Sequence, residues 1–223
     1  ADVPGTQIIV FYPSEGVSDI QKQQMITQAG NNVKVFGIEG NFDDAQRGVK
    51  EIFGNTALSD ELEKKGYTFS SANSINWGRL VPQIVYYFSA YVDAVKAGKI
   101  TAGDPINFVV PTGNFGDILA GYYAKLMGLP IDRLLCASNS NNVLTDFINT
   151  GVYDRRREFF KTVSPSMDIL VSSNLERLLY SVTEHDAARV ADYMKRLNTE
   201  GHYEIDSDDL KQIQSQFFGA WVD

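Results

Sequence analysis

The sequence predicts an α/β protein whose parallel sheets are covered by helices, and three observations lead to this class. Short apolar runs alternate with helical segments along the chain. Glycine or asparagine follows most of the helical segments, as is typical of helix C-termini. Hydrophobic residues make up 43% of the 223 residues, which is enough for a sizeable core. Strands that alternate with helices form parallel sheets with both faces covered, so we expect a three-layer αβα arrangement.

The individual elements follow from apolar periodicity and from turn residues. Ser18 and Gln21 form a capping box at the start of the first helix. Apolar runs bounded by turn residues predict strands at 8–12, 33–38, 67–70, 106–110, 133–137 and 203–205, with 167–171 as a further strand candidate. Helical spacing predicts helices at 18–29, 43–53, 59–65, 74–97, 117–127, 175–182 and 186–198, one that ends at 150, and a last helix from 207.

Charge and composition make several classes of function poor candidates. The net charge is −8, and the longest basic run, residues 155–157, is flanked by acids, so nucleic acid and anionic membranes are poor partners. A single cysteine, Cys136, rules out an internal disulfide and a cysteine-based metal site, and two histidines are too few to suggest zinc. We expect no metal. No apolar run is long enough for a membrane span and no signal peptide is visible, so we expect a cytoplasmic protein.

The segment 106–127 carries the clearest functional pattern, because a strand, a glycine-containing turn and a helix start follow one another. Free N–H groups at a helix N-terminus bind anions such as phosphate, and Gly113 and Gly116 allow close approach and positive φ angles. The Thr112 hydroxyl and the Asn114 amide can add hydrogen bonds. The spacing matches neither of the common nucleotide-binding glycine motifs, and a tight turn without a ligand is the alternative.

Longer motifs resemble the threonine synthases. The run SANSINWGRLVPQIVYYFSAY (71–91) is similar to the signature that precedes the helix of their larger domain, and VVPTGNFGDILAGYYAKLMGLP (109–130) is similar to their cofactor-phosphate loop. Residues 12–46, 137–151 and 164–179 match in order and spacing. The resemblance covers nearly the whole chain, and it depends on the combination of motifs because each motif alone is weak.

The resemblance implies a fold, a cofactor and a reaction. The fold is the tryptophan-synthase-β-like fold of type II pyridoxal-phosphate enzymes, which has two α/β domains. A composition shift near Gly66 suggests a boundary between about residues 66 and 73, so we expect residues 1–66 in the smaller domain and residues 67–223 in the larger one. The reaction converts O-phosphohomoserine and water to threonine and phosphate with pyridoxal phosphate as cofactor. The residues implied to cradle the cofactor phosphate are Gly113, Asn114, Phe115, Gly116 and Asp117.

A second phosphate site is required because the substrate is itself a phosphate ester. The candidates are Asn73, Ser74, Asn76 and Arg79, which form a polar cluster before the long helix. Arginine binds phosphate with two parallel hydrogen bonds, and asparagine and serine add donors. The alternative is a helix cap at Ser74 with surrounding turn amides, and both interpretations can hold together.

Other polar residues have weaker patterns. Asn139, Asn141 and Asn142 follow a strand, at the edge where α/β sheets bind ligands, although asparagines also form turns there. We interpret Arg177 as part of a solvated helix face, and pairing with Glu176 or an earlier acidic residue is the alternative.

The chain departs from the family pattern in three places. The Phe-Lys-Asp segment with the Schiff-base lysine, the Ser-Gly-Asp-Thr-Gly segment and the Thr-Ala-His-Pro-Ala-Lys-Phe segment do not occur in it. We therefore expect a central portion of a longer enzyme that is inactive alone, with sheet edges open to self-association. Two alternatives remain: another replacement enzyme of the same fold, such as a relative of cysteine synthase, and a non-catalytic phosphate-binding or regulatory module.

Overall fold

The computed structural model describes residues 2–14, 17–40 and 42–222, apart from the side chains of Phe42 and Asp43. The chain divides into two compact units, Ala1–Ser70 and Ser71–Asp223.

The first unit contains a pair of parallel strands and three helices. Its elements are β1 (Ile8–Pro13), α1 (Asp19–Ile26), β2 (Val33–Ile38), α2 (Phe42–Gly54) and α3 (Thr56–Lys64). The predicted capping box is confirmed, because Gln21 N donates to Ser18 Oγ and Ser18 N donates to Gln21 Oε1. The strand predicted at 67–70 is wrong, since these residues form no regular element.

The second unit is built around a parallel sheet of three strands. Its elements are α4 (Trp77–Lys96), β3 (Ile106–Pro111), α5 (Gly116–Leu126), β4 (Ile131–Ser138), α6 (Val143–Thr150), β5 (Val152–Asp154), α7 (Leu175–Val182), α8 (Ala187–Thr199), β6 (His202–Glu204), α9 (Ser207–Gln216) and β7 (Phe217–Trp221). The strand order is β3-β4-β7, with β4 in the centre, while β5 and β6 form a separate antiparallel pair. Alternating helices and parallel strands confirm the predicted α/β class.

The core of this unit lies between the sheet and its helices. Leu134 and Cys136 of β4 are fully buried, as are Ile118 and Leu119 of α5 and most of α6. Cys136 therefore packs inside the core, and burial raises the pKa of its thiol to about 11. Helices α4 and α5 approach closely where α5 carries Gly121.

Three strand predictions fail in this unit, because pairing and side-chain contacts distant in sequence decide them; one is β5, which was not predicted and forms by pairing with β6. Residues 217–221 form β7, which was not predicted, because a short run at the end of a helix acquires its strand conformation by pairing with β4. Residues 167–171, a strand candidate, form no strand: Met167 ends a 3₁₀ turn, Pro165–Met167, and residues 168–171 form no regular element. Side chains hold that segment in place: the Tyr153 hydroxyl donates to Leu170 O at 3.0 Å and accepts from Ser172 N at 2.8 Å. All three outcomes depend on contacts distant in sequence.

Candidate functional site

The predicted anion loop, residues 113–117, lies between the end of β3 and the start of α5. Phe115 precedes the helix with φ 64° and ψ 6°, a left-handed conformation. Neither Gly113 nor Gly116 has a positive φ angle, so the expectation that these glycines supply one is wrong. They are required for packing instead. A Cβ atom at Gly113 would lie 3.2 Å from Met167 Cα, and one at Gly116 would lie 2.8 Å from Ser74 Oγ.

The 113–117 loop exposes a set of main-chain donors without partners. The N–H groups of Gly113, Asn114, Phe115, Asp117 and Ile118 have no hydrogen-bond acceptor among the residues that the structure describes. Asn114 and Asp117 are exposed, whereas Phe115 and Ile118 are fully buried. A buried N–H without an acceptor costs roughly 1–3 kcal/mol. The loop therefore favours an acceptor atom, and the positive end of the α5 dipole favours an anion.

Other donors of the loop are already engaged within the protein. The Gly116 N–H donates to Asn114 Oδ1 at 2.9 Å. The Thr112 hydroxyl donates to Val110 O at 2.6 Å, and Thr112 is buried. The sequence suggested the Thr112 hydroxyl as a donor to an anion, but its proton is already bonded within the protein, at the end of β3.

Asp117 places a carboxyl group at the edge of the loop. The Tyr87 hydroxyl donates to Asp117 O at 2.9 Å and to Asp117 Oδ1 at 3.3 Å. Burial raises the pKa of Asp117, and the hydrogen bond from Tyr87 lowers it by less. Burial also raises the pKa of Tyr87, so its hydroxyl stays protonated and remains a donor. These contacts fix the first turn of α5 to α4.

The second predicted cluster, at residues 73–79, forms a turn and the start of α4. Asn76 is the N-cap of α4, because its Oδ1 accepts from Gly78 N at 2.9 Å, so the alternative of a cap at Ser74 is wrong. Asn73 Oδ1 accepts from Ile75 N at 3.2 Å. Arg79 is exposed, and its guanidinium has no hydrogen-bond partner among the described residues.

Ser74 connects this turn to the anion loop. Ser74 is 6% exposed, and its hydroxyl oxygen accepts from Asn114 Nδ2 at 3.1 Å and from Asn174 Nδ2 at 2.9 Å. Two of the predicted site residues, Ser74 and Asn114, are thus in direct contact although 40 positions separate them.

Arg177 and Asn174 complete this cluster, and sequence reasoning missed both roles. Arg177 donates to Ser74 O at 2.8 Å, to Ile75 O at 2.6 Å and to Asn174 Oδ1 at 2.6 Å. The interpretation of Arg177 as part of a solvated helix face is wrong, because Arg177 is partly buried and its guanidinium donates to the main-chain carbonyls of Ser74 and Ile75. The i,i+3 spacing of Asn174 and Arg177 at a helix start is the only local signal, and it does not reveal the distant partner.

The asparagines after β4 form a structural network. Asn139 Nδ2 donates to Asp168 Oδ1 at 2.7 Å, and Asn141 Nδ2 donates to Phe160 O at 2.7 Å. The Thr162 hydroxyl donates to the same carboxylate oxygen at 2.7 Å. Asn139 and Asn141 therefore attach the 160–168 segment to the end of β4, which no sequence pattern predicted, while Asn141 N donates to Asn139 Oδ1 at 2.9 Å within the turn itself. Asn142 Oδ1 accepts from Arg157 at 2.9 Å.

Other features of charge and composition give no further site. Arg155, Arg156 and Arg157 all donate to protein oxygen atoms, so the basic run is not a free cationic patch. Among the described parts of the chain, no three His, Cys, Asp or Glu side chains are grouped to hold a metal ion. No helix there is long and apolar enough to cross a membrane.

Comparison with known proteins gives one consistent result. No protein-family model matches the chain. It is 46% identical over 216 residues to human threonine synthase-like 1, covering 96% of this chain and 29% of that protein. It is 40% identical over 227 residues to threonine synthase of Eremothecium gossypii, covering 97% of this chain and 42% of that protein.

The fold comparison agrees with the sequence comparison. A crystal structure described as PLP-bound threonine synthase from Brucella melitensis matches with a TM-score of 0.82 and 43% identity, over 97% of this chain and 44% of that one. The chain thus spans less than half the length of these relatives. The resemblance predicted from the motifs and the type II fold are both confirmed.

Proposed function

We propose that this chain, which is homologous to threonine synthases along nearly its whole length, forms the phosphate-binding portion of a pyridoxal-phosphate enzyme of that kind. The proposed reaction converts O-phosphohomoserine and water to threonine and phosphate. The observation that carries the proposal is the set of unpaired N–H groups in the 113–117 loop.

The donor set of the loop fits the phosphate of pyridoxal phosphate. Two of the unpaired N–H groups belong to the exposed residues Asn114 and Asp117, so the loop lies at the protein surface. A phosphate group carries about two negative charges and accepts several hydrogen bonds, each stronger than one between neutral groups. The related Brucella melitensis structure contains PLP by its description. When bound, the cofactor ring withdraws electrons from the α-carbon of the amino-acid substrate.

The contribution of this chain is to bind and orient phosphate groups. We assign the cofactor phosphate to Gly113, Asn114, Phe115, Gly116 and Asp117. Within this set Gly116 acts through Asn114, because its own N–H is bonded to the Asn114 side chain.

We assign the substrate phosphate to the turn that contains Asn73, Ser74, Asn76 and Arg79. Arg79 is the strongest candidate of the four, since its guanidinium is exposed and carries a full positive charge. Ser74 is buried, and its oxygen accepts from two amides, so its part is to support the turn.

We further propose that residues 1–66 belong to the smaller domain of the enzyme and residues 67–223 to the larger one. The division of the chain into compact units at Ser70 and Ser71 supports a boundary in this region. The resemblance places the Schiff-base lysine outside these residues, so we expect no catalysis by the 223 residues alone. Cytoplasmic location and self-association through sheet edges stay predictions.

Binding of two cofactor forms tests the proposal. The dissociation constants of pyridoxal phosphate and pyridoxal are measured with the purified chain, since the two differ only in the phosphate group. Loss of charge-assisted hydrogen bonds worth roughly 1.5–3 kcal/mol each predicts at least tenfold tighter binding of the phosphate form. Pyridoxal closes to a hemiacetal that reacts less with lysines, so the same comparison is repeated with pyridoxamine phosphate and pyridoxamine, which have no aldehyde and do not react with surface lysines.

Amide chemical shifts locate the bound phosphate. On addition of pyridoxal phosphate, the largest changes are expected at the N–H groups of residues 113–118. The N-terminus of α8, where Asp186 accepts from Arg189 N, is an internal control for non-specific anion binding. Equal affinity for pyridoxal and its phosphate, or equal shifts at both helix starts, would contradict the proposal.

A further inference from the structure

We propose that Arg177 is a positioning residue that sets the orientation of the Asn114 amide through a chain of hydrogen bonds. The proposal deepens the proposed function, because Asn114 lies at the centre of the assigned phosphate loop. It rests on contacts within Ser71–Asp223 alone. A guanidinium so far from the loop in sequence would otherwise have no role in phosphate binding.

The first step follows from the chemistry of the guanidinium. Arginine has N–H donors and no acceptor, so the atom of Asn174 that faces Arg177 at 2.6 Å must be the amide oxygen. The Asn174 nitrogen must therefore point the other way. There it donates to Ser74 Oγ at 2.9 Å and to Asn114 O at 3.0 Å. Asn174 is fully buried, so water cannot replace these partners.

The second step fixes the Ser74 hydroxyl. Its oxygen already accepts from Asn174 Nδ2, and its proton faces Asn73 Oδ1 at 3.4 Å. The atom of Asn114 that lies 3.1 Å from Ser74 Oγ is therefore the amide nitrogen, acting as a donor. Reversing the Asn114 amide would place its oxygen beside a hydroxyl whose proton is directed to Asn73, and its nitrogen against the Gly116 N–H, so that two donors face each other.

The third step reaches the loop itself. With its nitrogen toward Ser74, Asn114 must present its oxygen to the loop, where it accepts from Gly116 N at 2.9 Å. Asn174 N also donates to Asn114 O at 3.1 Å, so both the side chain and the main chain of Asn114 are held. The unpaired N–H groups around Asn114 are thus held in one geometry before any ligand arrives.

Arg177 holds the second assigned phosphate site with the same guanidinium. It donates to Ser74 O and Ile75 O in the turn that continues to Asn76 and Arg79. One side chain therefore connects both assigned phosphate sites. Its planar fork reaches three acceptors at once, which a lysine ammonium cannot reproduce.

The test separates the geometry of Arg177 from its charge. R177K keeps the charge but loses the fork, and N174D keeps the acceptor for Arg177 but loses the donor to Ser74 and Asn114. Both variants are expected to change the resonances of the Asn114 side-chain amide and the Gly116 N–H in the ligand-free chain. Both are also expected to reduce the preference for pyridoxal phosphate over pyridoxal by about tenfold.

A matched arginine supplies the control. Arg157 is also partly buried and donates to a main-chain carbonyl and to an asparagine oxygen, so R157K makes the same chemical change elsewhere in the unit. The proposal would be overturned if R177K and R157K had the same Asn114 and Gly116 resonances and the same ligand preference. If R177K fails to fold, N174D decides the question.

Failure of the proposed function has a different signature. A wild-type chain without preference for the phosphate form would refute the phosphate site. In that case the Asn114 and Gly116 resonances of the variants still decide whether Arg177 orients the loop. R177K could also keep the preference for pyridoxal phosphate while N174D loses it. That result would show that the charge of Arg177 matters and its planar fork does not, and it would overturn the proposal.

Discussion

Gly121 in α5 marks the closest approach between this helix and α4, and replacing it by alanine should destabilise the second unit. A Cβ atom at this position would lie 2.6 Å from Tyr87 Cε1, 2.7 Å from Tyr87 Cζ and 3.0 Å from Leu134 Cδ2. Ordinary carbon contacts are about 3.5–4.0 Å. The Tyr87 ring cannot move away freely, because its hydroxyl donates to Asp117 O and because it packs edge-on against the Phe108 ring, with 4.9 Å between the ring centroids.

The size of the effect is a difference between two opposing contributions. Overpacking in a well-packed core costs about 1–3 kcal/mol. Alanine in a helix interior is more favourable than glycine by up to about 1 kcal/mol. We therefore expect G121A to lower the free energy of unfolding by about 1–2 kcal/mol.

Tryptophan fluorescence during urea unfolding measures this change selectively. Both tryptophans, Trp77 and Trp221, lie in Ser71–Asp223. G48A is the control, since Gly48 lies inside α2 and a Cβ atom there meets nothing within 4 Å. Circular dichroism should show that G48A is at least as stable as the wild type. A G121A midpoint at or above the wild-type value, with an unchanged urea dependence, would refute the packing argument.

Four further predictions concern titratable groups. Removing the negative charge beside the loop, D117N should bind inorganic phosphate about three- to tenfold more tightly at pH 7 by calorimetry, and weaker binding would contradict the site. Burial raises the pKa of Asp117, so the contribution of Asp117 to stability is complete below about pH 4 and is lost as the pH rises through the raised pKa. The free energy of unfolding of D117N should therefore change less with pH than that of the wild type. Cys136, with a thiol pKa of about 11, is about one thousandth thiolate at pH 8, so Ellman's reagent should label it only as fast as the unit opens. The hydrogen bond from Arg156 lowers the pKa of Asp154, so their pair contributes fully to stability above about pH 4, and this contribution is lost as the pH falls through the lowered pKa. R156Q should therefore lower the melting temperature slightly at pH 7 and by less at pH 2.

Local patterns were sufficient for the class of fold and for the position of the 113–117 loop between a strand and a helix. The β3, loop and α5 order is readable because apolar periodicity and helix ends are properties of neighbouring residues. The capping box at Ser18 was predictable for the same reason, since its partners are three residues apart. The motifs 71–91 and 109–130 added the family, which the comparisons confirmed.

The tertiary structure alone decided which donors of the loop are unpaired and what holds them. Ser74, Asn114 and Asn174 meet although 40 and 100 positions separate Ser74 from the other two, and β7 exists only because it pairs with β4. Periodicity carries no information about such pairs, because a hydrogen bond between distant residues depends on where the chain has folded and not on which residues are adjacent. The sequence therefore indicates a solvent-facing helix residue at Arg177, whereas in the folded chain its guanidinium donates to the carbonyl groups of the 73–76 turn.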